Sequence, residues 1–177
     1  DGLVTLKNMT IQDVSDLTGS FHTRSGHDGI HGQQVDGGLT LDNVTIRRIS
    51  DNAVNGALLS DGLGATVWNG LQILNGSLIQ DTNRFHVPGV GDSTNESGVR
   101  IVGLEGTVLV ENSTFERVAG GLDIFTDTAG TLDMTVQGNT FNQIIKEFTS
   151  SPINSVGGIG VDVTHRGSLD SVIRIRD

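Results

Sequence analysis

Apolar and polar residues alternate in short runs along the chain, and one such run returns five times. Each copy has two apolar positions separated by one residue, then a polar turn that contains Asn, then a Ser or Thr and another apolar residue. Because the two leading apolar residues are two positions apart, they face the same side of a β-strand. The copies begin at Val4, Leu39, Leu71, Val108 and Met134. A motif that returns in this way predicts strands stacked repeat upon repeat.

The rest of each repeat supports the same interpretation. The final apolar column consists of Ile11, Ile46, Leu78, Phe115 and Phe141. A second short alternation follows each copy, at residues 29–30, 53–54, 99–101, 122–124 and 161–163. Successive turns are 35, 32, 37, 26 and 39 residues apart, counting from Asn8 to Asp177. The 25 glycines and the lack of long helical periodicity favour an all-β fold.

The Asn residues of the motif predict a specific kind of turn. Asn tolerates left-handed backbone angles, and its side chain can bond the backbone nearby. Stacked Asn side chains can also bond one another, as in other amide ladders. We expect these side chains to be buried at the turn. The predicted ladder consists of Asn8, Asn43, Asn75 and Asn112, with Gly138-Asn139 in the fifth copy.

The order of strand, Asn turn and second strand resembles the right-handed parallel β-helix, or pectin-lyase-like, superfamily. The resemblance covers nearly all of the chain and implies a single domain, residues 1–177, with about five coils of 26–39 residues. The motif is most similar to repeats of large bacterial surface and autotransported proteins, which implies an extracellular or cell-surface location. This fold carries lyases, hydrolases, phage tailspikes and adhesins alike, so it does not assign an activity.

The ends of the chain lack any pattern typical of a capping helix. Solenoid repeats need caps for solubility, and an open strand edge favours pairing with another strand. We therefore expect a segment of a longer repeat protein, or a subunit that associates end to end with other copies.

Composition narrows the range of partners. The net charge of −10 argues against nucleic acid and anionic membrane surfaces. The chain has no cysteine, which excludes disulfides and thiolate metal sites. It also lacks an apolar run long enough to insert into a membrane. An acidic exported protein is compatible with bound calcium.

The outward positions of the second strand provide the sharpest candidates for chemistry. Arg100, Asp123 and Asp162 should lie in one column, because each follows an inward apolar residue. Two neighbouring carboxylates raise one pKa or attract a cation. In the superfamily that this chain resembles, the lyases use calcium and an arginine base, and the hydrolases use paired aspartates. The resemblance therefore makes these three residues candidate catalytic residues. His31 and Asn55 continue the column as candidate binding residues.

Three long connections are expected to project from one corner, at residues 12–29, 79–98 and 142–158. The first connection and the residues just after it hold a candidate divalent-metal cluster, whose spacing matches no standard motif. Its members are His22, His27, Asp28 and His31. Trp68, the single Trp, precedes the third copy and is expected to point outward, where it could stack on a sugar or contact a neighbour.

Other features argue against an enzyme. The Asn-Thr-Asp, Asp-Asp, Gly-His-Gly and Arg-Ile-Lys motifs of the hydrolases are missing, and aromatic residues are few. The polar column is also what any solvent-facing strand would show. The sequence therefore favours a non-catalytic structural or adhesive segment. A polysaccharide lyase or glycoside hydrolase, and a carbohydrate-binding tailspike-like module, are the alternatives.

Overall fold

The computed structural model describes ten stretches of the chain, and all of their regular structure is β. The described residues are 2–14, 28–32, 35–49, 51–56, 68–82, 97–118, 120–126, 130–144, 159–165 and 171–177. Their strands are β1 (Val4–Val14), β2 (Ile30–His31), β3 (Leu39–Ile49), β4 (Val54–Gly56), β5 (Trp68–Leu74), β6 (Leu78–Thr82), β7 (Val99–Val102), β8 (Leu104–Glu111), β9 (Thr114–Glu116), β10 (Leu122–Thr126), β11 (Leu132–Gln137), β12 (Thr140–Asn142), β13 (Val161–His165) and β14 (Val172–Arg176). Most of each of the three predicted long connections lies outside the described residues.

The strands form two curled sheets in which all pairs between the described strands are parallel. The larger sheet has the order β12-β9-β6-β3-β5-β8-β11-β14, with β1 beside β3. Strand β3 pairs with β5 along its first half and with β6 along its second half. The smaller sheet has the order β13-β10-β7-β4-β2 and contains the second strand of each repeat. The all-β prediction and the predicted second strands are thus confirmed.

The register confirms the first two apolar columns. Val4 pairs with Leu39, and the column continues through Leu71, Val108, Met134 and Ile173. The second column runs from Leu6 through Leu41, Ile73, Val110 and Val136 to Ile175. Between the ends these side chains are almost fully buried, so the two sheets enclose one apolar core between them.

The third column requires one correction. Ile79, rather than Leu78, pairs with Ile46 on one side and Phe115 on the other. The turn of this repeat holds one extra residue, because Asn75 is followed by Gly76, whose φ is also positive at 79°. Each additional residue in a turn shifts the following strand by one place and exchanges its two faces. The column ends in Phe115 and Phe141, whose rings stack with centroids 4.9 Å apart.

Trp68 points inward, so the prediction of an outward side chain is wrong. Its side chain is only 1% exposed, and the indole Nε1 donates a hydrogen bond to the Gly32 carbonyl oxygen over 3.1 Å. The register shifts between Asn69 and Leu71, where Gly70 has a φ of 100°. That irregularity inverts the alternation, and Trp68 consequently faces the same side as Leu71.

The Asn turns have the predicted backbone, but the side chains of Asn8, Asn43, Asn75 and Asn112 are exposed rather than buried, and Asn139 is half-buried. The φ angles are 51° at Asn8, 54° at Asn43, 57° at Asn75, 49° at Asn112 and 60° at Gly138. The Asn43 Nδ2 donates to the Asn8 Oδ1 over 2.8 Å, which is the predicted amide-to-amide bond. Asn75 instead donates to Asp42 Oδ1 over 2.7 Å. The column is therefore defined by its left-handed backbone, and its side-chain bonds vary from turn to turn.

Candidate functional site

The smaller sheet presents the predicted polar column on its outer face. His31 pairs with Asn55, Asn55 with Arg100, Arg100 with Asp123, and Asp123 with Asp162. The residues on either side of Arg100 and Asp123 in their strands point inward, and each is at most 1% exposed. Alternation along each strand thus brings all five predicted side chains into one row.

The centre of this row joins a cation to two carboxylates. The Arg100 Nε lies 3.6 Å from the Asp123 Oδ2, and their side chains are 26% and 32% exposed. Burial raises the pKa of Asp123; the Arg100 guanidinium opposes this rise, and the Asp162 carboxylate adds to it. The Asp123 carboxyl group therefore holds a proton more readily than an ordinary surface aspartate.

The other end of the row is organised by Asp28, whose side chain is only 6% exposed. Its Oδ2 lies 2.8 Å from the His31 Nδ1 and accepts a hydrogen bond from the Asn55 Nδ2 over 2.9 Å. Its Oδ1 accepts from the Asn52 Nδ2 over 3.3 Å, and the Asn52 Oδ1 in turn accepts from the Ser97 N–H over 2.8 Å. These hydrogen bonds hold the side chains of His31 and Asn55 in defined orientations.

The described residues include few of the ligands that the predicted metal and calcium sites would need. His22 and His27 lie outside them, and Asp28 and His31 contact each other. No group of three or more His, Cys, Asp or Glu side chains within the described stretches is arranged to hold a metal ion. Calcium takes about six to eight oxygen ligands. Asp123 and Asp162, beside the positive Arg100, do not by themselves fit a calcium ion.

A second row of side chains, which the sequence reasoning missed, follows the turn at the other end of the motif strand. Five residues have positive φ there: Asp13 at 60°, Arg48 at 54°, Asp81 at 54°, Arg117 at 53° and Gln143 at 50°. We call them the corner column. The signal was present in the sequence as an offset of about five residues from each Asn turn. Asp is a common turn residue, but Arg and Gln have no such preference, so the column as a whole was not recognised.

Opposite charges pair along the corner column. The Arg48 guanidinium bonds both carboxylate oxygens of Asp13, with Nη2 lying 2.6 Å from Oδ2. The Arg117 Nε and Nη2 likewise donate to the two Asp81 oxygens over 2.7 and 3.0 Å. The hydrogen bond from Arg48 holds the pKa of Asp13 below its usual value. The signs alternate from repeat to repeat, which makes each neighbouring pair in the column attractive or neutral.

No protein-family model matches this chain, and it finds no match among curated proteins or among solved structures. The part of the chain that the structure describes contains no helix long and apolar enough to cross a membrane.

The raised pKa of Asp123 leads to a prediction about stability and pH. Because this pKa is higher in the folded chain than in the unfolded chain, the folded state binds the proton more tightly. The stabilisation is present at low pH and is lost as the pH rises through the folded-state pKa. We therefore expect Asp123→Asn to be more stable than the wild type at neutral pH, with the advantage shrinking as the pH falls toward 3.8. Urea unfolding at a series of pH values measures this.

Asp13→Asn provides a control of opposite sign. Since the hydrogen bond from Arg48 lowers the pKa of Asp13, its contribution is present above the ordinary aspartate pKa and is lost as the pH falls through the folded-state value. This variant should be less stable than the wild type at neutral pH. Equal pH profiles for Asp123→Asn and the wild type would contradict the raised pKa.

Proposed function

We propose that the chain is part of a right-handed parallel β-helix with a structural, non-catalytic role in a bacterial extracellular or cell-surface protein or filament. The proposal is supported by the way each repeat contributes strands to the same rows. β3 continues from a row shared with β5 into a row shared with β6, and β4 then joins the smaller sheet. The right-handed turn follows the general preference of parallel crossover connections.

The observation that carries the structural role is the continuity of side-chain columns across the repeats. Apolar columns fill the interior, and ion pairs join the same positions of adjacent repeats outside, as in Lys7–Asp42 over 2.6 Å. Each repeat stabilises its neighbours, so the whole resists bending more than any repeat alone. A stiff shaft that presents its connections to partners, among them glycans, is the function this arrangement suits best.

A polysaccharide lyase or hydrolase is the second candidate, and one observation favours it. Arg100, Asp123 and Asp162 are neighbours in register, and burial raises the pKa of Asp123. A carboxyl group with a raised pKa is better suited to general acid catalysis than an ordinary surface aspartate. The carbohydrate-binding alternative loses its aromatic platform, since Trp68 is buried in the core.

Particle shape and turnover together test these proposals. Electron microscopy with light scattering should show filaments of stacked chains if the chain is an end-to-end subunit, and single particles if it is a segment of a longer protein. Neither preparation should cleave acidic or neutral polysaccharides. Cleavage that Asp123→Ala abolishes, without a change in the circular dichroism of the chain, would establish the enzymatic candidate and overturn the structural one.

A further inference from the structure

Strand β1 carries the same motif as β3, but it is far more exposed. Val4 is 47% exposed, whereas its partner Leu39 is 3% exposed. Met9 is 40% exposed, whereas its partner Val44 is 1% exposed. β3 has strands on both sides, and within the described residues β1 pairs with β3 alone. Among the described strands, none pairs with the outer edge of β1, whereas both edges of β3 are paired.

Two charged side chains on this edge retain exposed surface after pairing inward. Lys7 contacts Asp42 but is 61% exposed. Asp13 is bonded to Arg48 but is 55% exposed. A lysine ammonium has three donor hydrogens and a carboxylate has about four acceptor positions. Both groups therefore have capacity for a second partner on their outer side.

The corner column shows which charge that partner should carry. Its signs alternate from Asp13 to Arg117, and it ends in the neutral Gln143. One end of the column, Gln143, is a neutral residue, whereas the other end, Asp13, carries a charge. Continuing the alternation beyond Asp13 places a cation there, and an anion opposite Lys7 complements its exposed ammonium group.

We propose that the open edge of β1 binds a parallel β-strand that carries an acidic residue opposite Lys7 and an arginine or lysine opposite Asp13. The strand also supplies apolar residues over Val4 and Leu6. In such a complex β1 has equivalent neighbours on both sides. This inference rests on the proposed β-helix, and it specifies the partner at one end of it.

A second copy of the chain fits this edge less well. β14 is the exposed strand at the other end, with Ile173 42% and Ile175 62% exposed. Placing Ile173 opposite Val4, in the register of the apolar column, sets Arg176 opposite Lys7. Those like charges disfavour the contact. The favoured occupant is therefore a strand from another repeat segment with the charges given above.

The sequence of β3 meets every requirement, so a capped peptide of residues 39–49 is the natural probe. It supplies Asp42 for Lys7 and Arg48 for Asp13, as β3 itself does on the inner side. Titration calorimetry against the full chain should show saturable binding. A peptide with Arg48→Glu should bind about fivefold more weakly, because a like-charge pair replaces an attractive one.

Variants of the chain locate the contact. Asp13→Asn should reduce the preference between the two peptides to about onefold, since the charge that discriminates them is gone. Asp133→Asn is the matched control: Asp133 is 59% exposed and pairs with Arg174 on the opposite edge strand. This control variant should keep the full preference. Unlike the shape and turnover of the chain, these affinities depend only on the β1 edge.

Three results would overturn the inference. The first is the lack of saturable binding by the β3 peptide. The second is a preference between the peptides that survives Asp13→Asn. The third is end-to-end assembly of the chain alone that excludes the peptide, which would identify a second copy as the occupant. None of these results would contradict the structural role, whereas polysaccharide cleavage would contradict that role and leave the peptide affinities unchanged.

Discussion

We expect Gly56→Ala to lower the free energy of unfolding by about 2–3 kcal/mol, because the added methyl group overlaps the buried indole of Trp68. A Cβ at this position would lie 2.7 Å from the Trp68 Cε2 and 2.8 Å from its Nε1. It would also lie 3.1 Å from the Ile101 Cγ2. The ring cannot move away easily, because Gly32 also lies against it: a Cβ at Gly32 would lie 2.6 Å from the Trp68 Cζ2. The two glycines leave the space that the ring fills.

Urea unfolding followed by circular dichroism measures the loss, and the fluorescence of the single Trp reports whether the ring remains buried. Gly2→Ala is the control, because a Cβ there meets no atom within 4 Å, and its stability should match the wild type. In a Trp68→Phe background the smaller ring should reduce the cost of Gly56→Ala. Equal costs in both backgrounds would show that the clash with the indole is not the cause.

Much of this architecture follows from the spacing of apolar residues. A period of two fixes which residues face inward, and the columns that begin at Val4 and Leu6 were therefore predicted correctly. Spacing fails wherever one residue is added or one turn is irregular. Gly76 displaced Leu78 from its column, and the irregularity at Gly70 turned Trp68 into the core. The alternating pattern is broken at such points by backbone geometry that side-chain hydrophobicity does not encode.

The candidate site divides in the same way. The row through Arg100, Asp123 and Asp162 could be predicted, because adjacency in a parallel ladder needs only the register. The hydrogen bonds of Asp28 to His31 and Asn55 could not be predicted, because they join a residue that precedes one strand to residues on two strands. They depend on side-chain rotamers and on the burial of the carboxylate, and neither follows from strand spacing.

The corner column shows why charged turns escape notice in a sequence. Glycine, asparagine and aspartate are common at left-handed turns, whereas arginine has no such preference and usually indicates a solvated face. Here Arg48 and Arg117 take left-handed angles, and ion pairs to the adjacent repeats accompany them. The stacking of equivalent turns supplies partners that a single repeat lacks. The conformation therefore belongs to the assembly of repeats more than to the local sequence.

The Asn turn allows backbone preference and amide bonding to be separated. We expect Asn43→Val to lower the free energy of unfolding by about 2 kcal/mol, because a β-branched residue is strained at the observed φ of 54°. The change also removes the hydrogen bond to Asn8. Asn43→Gly removes the same bond but relieves the backbone, and we expect it to cost about 0.5 kcal/mol or less, as for an exposed hydrogen bond.

The fifth repeat provides a natural precedent for the glycine variant, since Gly138 occupies this turn with a φ of 60°. Urea unfolding of Asn43→Val, Asn43→Gly and the wild type under one set of conditions gives both differences. A glycine variant as unstable as the valine variant would assign the column to its amide bonds. A large gap between the two variants would show that the left-handed backbone, rather than the amide bond, is the reason for Asn at this turn. The left-handed backbone recurs at every copy of the motif. Among the described side-chain contacts of this column, the amide-to-amide bond joins only Asn43 to Asn8. We expect the large gap, because the backbone angle is common to all five turns and the side-chain partner is not.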